Sequence, residues 1–118
     1  MVASVSEHDR KRFADLLRVL GEDFDRHVIE DPDFSARIPP KAHIIIQLEV
    51  PGSVNPKLRR EVELFNQWAR DLALKQSEPG EKIVVAVCHL APLVALASDS
   101  LNPTFLEQAR GEYALQPA

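Results

Sequence analysis

Two stretches of this chain are apolar at successive positions, and they constrain its fold more than anything else in it. The first is Ala42-His43-Ile44-Ile45-Ile46-Gln47-Leu48-Glu49-Val50. The second is Lys82-Ile83-Val84-Val85-Ala86-Val87-Cys88-His89-Leu90. Successive residues of a strand point to opposite faces, so a strand with one wet face alternates apolar with polar. Continuous β-branched runs instead predict strands that are apolar on both faces, as in a covered sheet. Pro51-Gly52-Ser53 ends the first run, and Pro79-Gly80 stands before the second.

Between the runs lies a long helical pattern. Asn55-Pro56 supplies a cap followed by proline at the first helical position. Leu58, Val62, Phe65, Ala69 and Leu72 then recur at spacings of four, three, four and three, predicting a helix over 56–77. Leu64 and Trp68 widen its apolar face. A strand, a long helix and a strand make a βαβ unit, whose strands run parallel with a right-handed crossover.

The flanks add helices. Residues 5–29 carry Phe13, Leu16, Leu20, Phe24 and Val28 at helical spacing, with Ser4 and Glu7 as a capping box or Ser6 as the alternative cap. Gly21 marks close packing or a bend in that helix. Asp31-Pro32 opens a single turn that points Phe34 and Ile38 inward, and Pro39-Pro40 leads rigidly into the first strand. Asn102-Pro103 starts a further helix over 103–115, with Phe105, Leu106, Ala109 and Tyr113 inside. Residues 93–97 fit either a strand or a helical turn. The fold class is therefore α/β, with α+β as the alternative: an N-terminal helix, a βαβ unit with a small, mostly parallel sheet covered by helices, and a C-terminal helix. Residues 1–118 form one domain, frayed at 1–5 and 116–118.

Two strands make a poor sheet alone. Either residues 93–97 add a third, or the sheet continues into a second subunit. The second option makes the chain a homo-oligomer, a dimer first. The face of helix 56–77 that carries Leu64, Phe65, Trp68 and Leu72 then serves as an interface or simply covers the sheet. Trp68 lies one position off the helical seam, where a tryptophan can anchor a partner.

The stretch Glu30-Asp31-Pro32-Asp33-Phe34-Ser35-Ala36-Arg37-Ile38-Pro39 resembles one carried by a family of short prokaryotic proteins of unknown function. There a proline, an acidic residue, a phenylalanine, small residues and Ile-Pro precede an apolar strand, a loop, a helix and a second apolar strand. Ile44–Val50, Phe65-Asn66 and Ile83–Val87 stand in the same order here, so the likeness covers roughly residues 13–92. The loop Glu49–Asn55 is longer and less acidic than in that pattern. The resemblance implies a fold and carries no activity.

Charge and residue usage narrow the chemistry. Lys and Arg number 14 against 18 Asp and Glu, a formal charge of −4. Arg10-Lys11-Arg12 and Lys57, Arg59 and Arg60 are the densest basic groups, and acidic residues stand beside both. They read as solvated helix faces, and nucleic acid ranks last among partners. One cysteine, Cys88, excludes an intramolecular disulfide and a cysteine zinc cluster. Met1–Ser6 has no leader pattern, and the apolar run Ile83–Ala97 is broken by His89 and Pro92. The expectation is a cytoplasmic protein with no membrane span.

Ligands of parallel α/β sheets sit beyond the carboxyl ends of the strands. That edge collects Glu49, Ser53, Asn55 and His89 as ligand-binding candidates, with His89 and Glu49 as a candidate acid/base pair. Cys88 and His89 are adjacent in a strand and point apart, so they do not form a nucleophile–base pair, and Cys88 reads as a small buried hydrophobe. His8, His27, His43 and His89 show no metal-ligand spacing, and His43 and His89 fall at opposite ends of parallel strands, so neither a metal nor a cofactor is expected. Pro51-Gly52-Ser53 matches neither a phosphate loop nor a hydrolase elbow. A small, non-catalytic, self-associating interaction protein is the first expectation. A small-molecule-binding domain or enzyme using the strand-end edge is the second.

Overall fold

A computed structural model describes residues 6–117. Element order is α1 (Glu7–Glu30), α2 (Pro32–Ala36), β1 (Ala42–Glu49), α3 (Pro56–Gln76), β2 (Lys82–Leu90), α4 (Pro92–Leu96), α5 (Pro103–Ala109) and β3 (Arg110–Pro117). Helix starts follow the local chemistry. The side chains of Ser6, Asp31, Asn55 and Asn102 each accept a backbone N–H of the first turn behind them. Proline opens α2, α3, α4 and α5. Ser4, the other candidate cap, lies outside the described residues.

β1 and β2 are parallel, with Ile44 opposite Val84, Ile46 opposite Ala86 and Glu49 opposite His89. Here the βαβ expectation holds. Two expectations fail. The segment after Ala109 is not helix but β3, which pairs antiparallel with β2, so the sheet is mixed and runs β1-β2-β3. Within it Gln116 faces Val85 and Pro117 faces Val84, so these residues are paired rather than frayed. The missing third strand is thus supplied by the chain's own C-terminal segment, and residues 92–96 form the short helix α4. Gly111 explains the switch: a Cβ there would stand 2.4 Å from the His89 carbonyl oxygen, so only glycine lets β3 approach β2 this closely. The register shifts between Cys88 and Leu90, a bulge beside that approach.

The helices gather on one face of the sheet. Ile46 and Leu48 of β1, Ala86, Cys88 and Leu90 of β2, and Tyr113 of β3 join a single core. To it α1 contributes Phe13, Leu16, Leu20 and Phe24, α3 contributes Leu58, Val62, Phe65 and Ala69, and α2, α4 and α5 add Phe34, Ala95, Phe105, Leu106 and Ala109. Every helix therefore packs on the face shared by these strand residues. The expectation of strands buried on both faces holds at Ile45 and Ile46 and at Val87 and Cys88, although the helices lie on one side of the sheet. The shortest dimension, 22 Å, is the depth of one helix layer on one sheet. By alternation the opposite face carries Ile45, Ile83, Val85, Val87 and Ala114, with Gln47, Glu49, His89, Glu112 and Gln116 around them.

α3 runs beside β1, the outer strand, and closes part of its edge. The Asn66 amide accepts from Leu48 N–H at 2.8 Å and donates to Leu48 C=O at 2.9 Å. A side chain thereby occupies the place of a neighbouring strand. Gly21 shows no close packing: α1 continues through it, and no neighbouring element lies within 4 Å of where its Cβ would be.

Candidate functional site

The parallel register brings the two strand-end candidates together. Glu49 ends β1 opposite His89, and Oε1 of Glu49 lies 3.4 Å from Nδ1 of His89. Both project to the sheet face away from the helices. Both are open to solvent, with side chains 60% and 46% exposed. A pair so open to solvent is not enclosed as ligand and catalytic sites ordinarily are. Ser53 is exposed in the following turn. Asn55 spends its side-chain oxygen on Lys57 N–H at 2.8 Å, as the cap of α3. Of the four candidates, the fold joins Glu49 with His89 and uses Asn55 structurally.

Two clefts lie apart from this pair. One of about 400 Å³ between α1 and α5 is lined by Arg18, Glu22, Asp23, Arg26, Glu107 and Arg110 among others, and another of similar volume by Gly52, Val54, Pro56, Arg59, Arg60 and Glu63. Neither includes Glu49 or His89.

Three of the four interface candidates on α3 pack into the chain's own core. Phe65 is fully buried and meets Phe13 edge-on, with ring centroids 5.6 Å apart. Trp68 packs on Phe13 at 5.8 Å and on Phe65 at 6.1 Å. Leu64 is half-buried against the same core, and Leu72 is half-buried. Phe65 therefore cannot meet a partner. The physical reason is the one-sided layering: α3 must fill the space between α1 and the sheet.

Two basic candidates are also committed within the fold. Arg12 donates to Glu61 at 3.1 Å, to the Leu101 carbonyl at 3.0 Å and to Asp9 at 2.9 Å, while Glu61 accepts from Leu101 N–H at 2.7 Å. This ties α1, α3 and the segment before α5. Arg59 donates to the Gly52 carbonyl. Among the described residues no group of three or more His, Cys, Asp or Glu is placed to hold a metal ion, and no helix is long and apolar enough to cross a membrane.

One polar cluster was not legible in the sequence. The Tyr113 hydroxyl donates to Asp23 Oδ2 at 2.8 Å, with the Leu20 carbonyl oxygen at 3.3 Å, and Arg110 Nε lies 3.0 Å from Asp23 Oδ1. Burial pushes the Tyr113 hydroxyl well above its ordinary range, and neighbouring Cys88 and Asp23 add to the rise. Burial likewise raises the Cys88 thiol, with Asp23 adding and a hydrogen bond to Gly111 opposing. Cys88 is fully enclosed, so this is a neutral, unreactive thiol, in keeping with its reading as a small hydrophobe. The cluster fastens β3 to α1. A buried tyrosine hydroxyl needs a partner, and Asp23 beside the apolar stripe of α1 was the available signal.

No family model matches this chain, and comparison with curated proteins and with solved structures finds no match.

Proposed function

We propose that this protein is a small, non-catalytic interaction protein that associates with itself, and that its working surface is the sheet face opposite the helices. One observation carries this: all the helices pack on a single face, while Ile83, Val85 and Ala114 are only half-buried on the other, beside the better-covered Ile45 and Val87. A β-branched surface of this kind is stable in water but gains by burial against a second apolar face. The apolar runs that predict doubly covered strands are thus met by helices on one side and by a partner on the other. Sedimentation velocity across a concentration series tests this. A mass that rises from monomer towards dimer is expected, and a constant monomer mass at the highest concentration reached removes the proposal.

A second reading has one observation in its favour. Glu49 and His89 do converge, as a ligand-binding or catalytic edge requires. Their open exposure supports it poorly. Fragment screening by NMR, with His89→Ala as the control, is the test: binding abolished by that change favours this reading over self-association.

A further inference from the structure

The two edges of the sheet are finished differently. β1 has its outer edge plugged by the Asn66 amide, which holds Leu48 N–H and C=O. β3 is the other edge, and β2 is its neighbour on the inner side. Successive residues of a strand turn their N–H and C=O to opposite sides. Lys82 N–H goes to the Lys41 carbonyl, and Ala91 N–H goes to the Ala109 carbonyl. Even-numbered residues of β2 therefore bond towards β1, and odd-numbered ones towards β3. Val87 stands opposite Ala114 and Val85 opposite Gln116, so these β3 residues bond inward. Tyr113 and Leu115 alternate with them and turn their N–H and C=O outward. Among the described residues no hydrogen bond reaches these outward groups.

Free donors and acceptors at strand spacing take up another extended strand. The open stretch is short. The bulge beside Gly111 bounds it at one end, and Pro117, with no N–H, bounds it at the other. Between them stand one charged residue, Glu112, and no lysine. A second β3 is complementary to this stretch. Two copies run antiparallel about a two-fold axis normal to the sheet, so their helices stay on one side. With the axis at Ala114, Tyr113 of each copy exchanges N–H and C=O with Leu115 of the other. Ala114 then faces Ala114, and Glu112 faces Gln116 of the other copy, so no like charges meet. Other registers fail on particular residues. An axis at Tyr113 sets Leu115 opposite the bulged Gly111, and one at Leu115 sets Pro117 opposite Tyr113 with no N–H to give. An axis at Glu112 sets two carboxylates against each other.

We propose that two copies of this chain pair β3 with β3, antiparallel about an axis at Ala114, joining the three strands of each into one sheet. This contact lies at the sheet edge and goes beyond the face contact proposed above. It leaves the open faces of both copies on one side, side by side, and so doubles that surface. Its main-chain bonds are few and its area is small, so the pairing is reversible.

Cysteine cross-linking in the full chain reads the register. Ala114→Cys brings two thiols together across the axis, with Cα atoms about 4.5 Å apart, within the reach of a disulfide. Glu112→Cys leaves its two thiols roughly 13 Å apart along the strands, beyond that reach. With oxidised glutathione, Ala114→Cys should give about tenfold more covalent dimer than Glu112→Cys on a non-reducing gel. Cys88 is fully buried and does not compete. Sedimentation, with circular dichroism as the check on folding, reads the hydrogen bonds. Leu115→Pro removes an outward N–H and no bond to β2, so it should stay folded and weaken association by about tenfold. Gln116→Glu sets a carboxylate against Glu112 of the other copy, weakens association by about threefold, and serves if Leu115→Pro does not fold. Val85→Lys, on the open face, should weaken the face contact and leave the Ala114→Cys cross-link in place. Equal cross-linking by Glu112→Cys, or association unchanged by Leu115→Pro and Gln116→Glu, overturns the edge pairing and leaves the face contact standing. A cross-link lost on adding Val85→Lys does the same. A wild-type chain that never leaves the monomer overturns both.

Discussion

Asn66 offers the sharpest test of how this small sheet is finished. Its amide makes two hydrogen bonds to one residue, accepting from Leu48 N–H at 2.8 Å and donating to Leu48 C=O at 2.9 Å. β1 is an outer strand, so without Asn66 these two groups lose their partner at a partly buried edge. Asn66→Ala removes both bonds. At about 0.5–1.5 kcal/mol net for each, the loss is about 1–3 kcal/mol. With an unfolding entropy near 2.1 cal/mol/K per residue, 118 residues convert this to a fall in Tm of roughly 4–12 °C. Urea unfolding followed by circular dichroism gives the free energy, and an unchanged m-value confirms that only stability moved. Asn66→Asp separates the two bonds. An aspartate keeps the acceptor for Leu48 N–H but sets a carboxylate oxygen against Leu48 C=O. Its folded-state pKa is therefore raised, the folded state holds more protons than the unfolded, and stability falls as pH rises through the carboxylate range. At neutral pH Asn66→Asp should be no more stable than Asn66→Ala, and below pH 4 or so it should recover part of the loss. A loss under about 0.5 kcal/mol for Asn66→Ala, or an aspartate variant close to wild type at neutral pH, refutes the role assigned to this side chain.

Three further outcomes follow from the packing. Gly111→Ala drives a Cβ into the His89 carbonyl and should cost about 2–3 kcal/mol, with β3 amides losing hydrogen-exchange protection before the rest of the sheet. Gly21→Ala fills open space in a continuous helix and should stabilise by about 0.5–1 kcal/mol, seen as a Tm raised by roughly 2–4 °C. Cys88 and Tyr113 are both held neutral in the fold, so stability should be flat below the ordinary thiol value of 9.0 and fall above it as the unfolded chain ionises first; the double variant Cys88→Ala, Tyr113→Phe should flatten that alkaline slope in denaturant titrations.

Much of this fold is legible in local sequence. The amphipathic stripe of α1, the cap-and-proline starts of α2, α3 and α5, and the parallel register of β1 with β2 each follow from short-range chemistry. Parallel register in turn placed Glu49 beside His89. β3 escaped because Ala109 and Tyr113, four apart and both buried, fit a helix as well as they fit the true arrangement. The competing signals were there: Gly111 is a poor helix residue, and Tyr113 and Leu115 alternate with Glu112, Ala114 and Gln116. With β3 missed, the Asp23–Tyr113–Arg110 cluster was out of reach, since it joins residues about ninety positions apart. What covers the sheet is not legible for a different reason. Apolar runs report that both faces of a strand are apolar, not what lies against them. The spacing of α3 leaves open whether Phe65 and Trp68 meet a partner or cover the sheet, because the depth of the core between α1 and β1 is not written in it.

Self-association through the open face is the central claim, and methyl NMR tests it most directly. Spectra recorded from about 10 µM to about 1 mM span the range of weak, reversible association. The methyl groups of Ile83, Val85, Val87 and Ala114 should shift together with concentration, while those of Ile29 and Leu93, exposed on helices away from this face, stay fixed. Shifts confined to Ile29 or Leu93, or no dependence on concentration at any methyl, would contradict it.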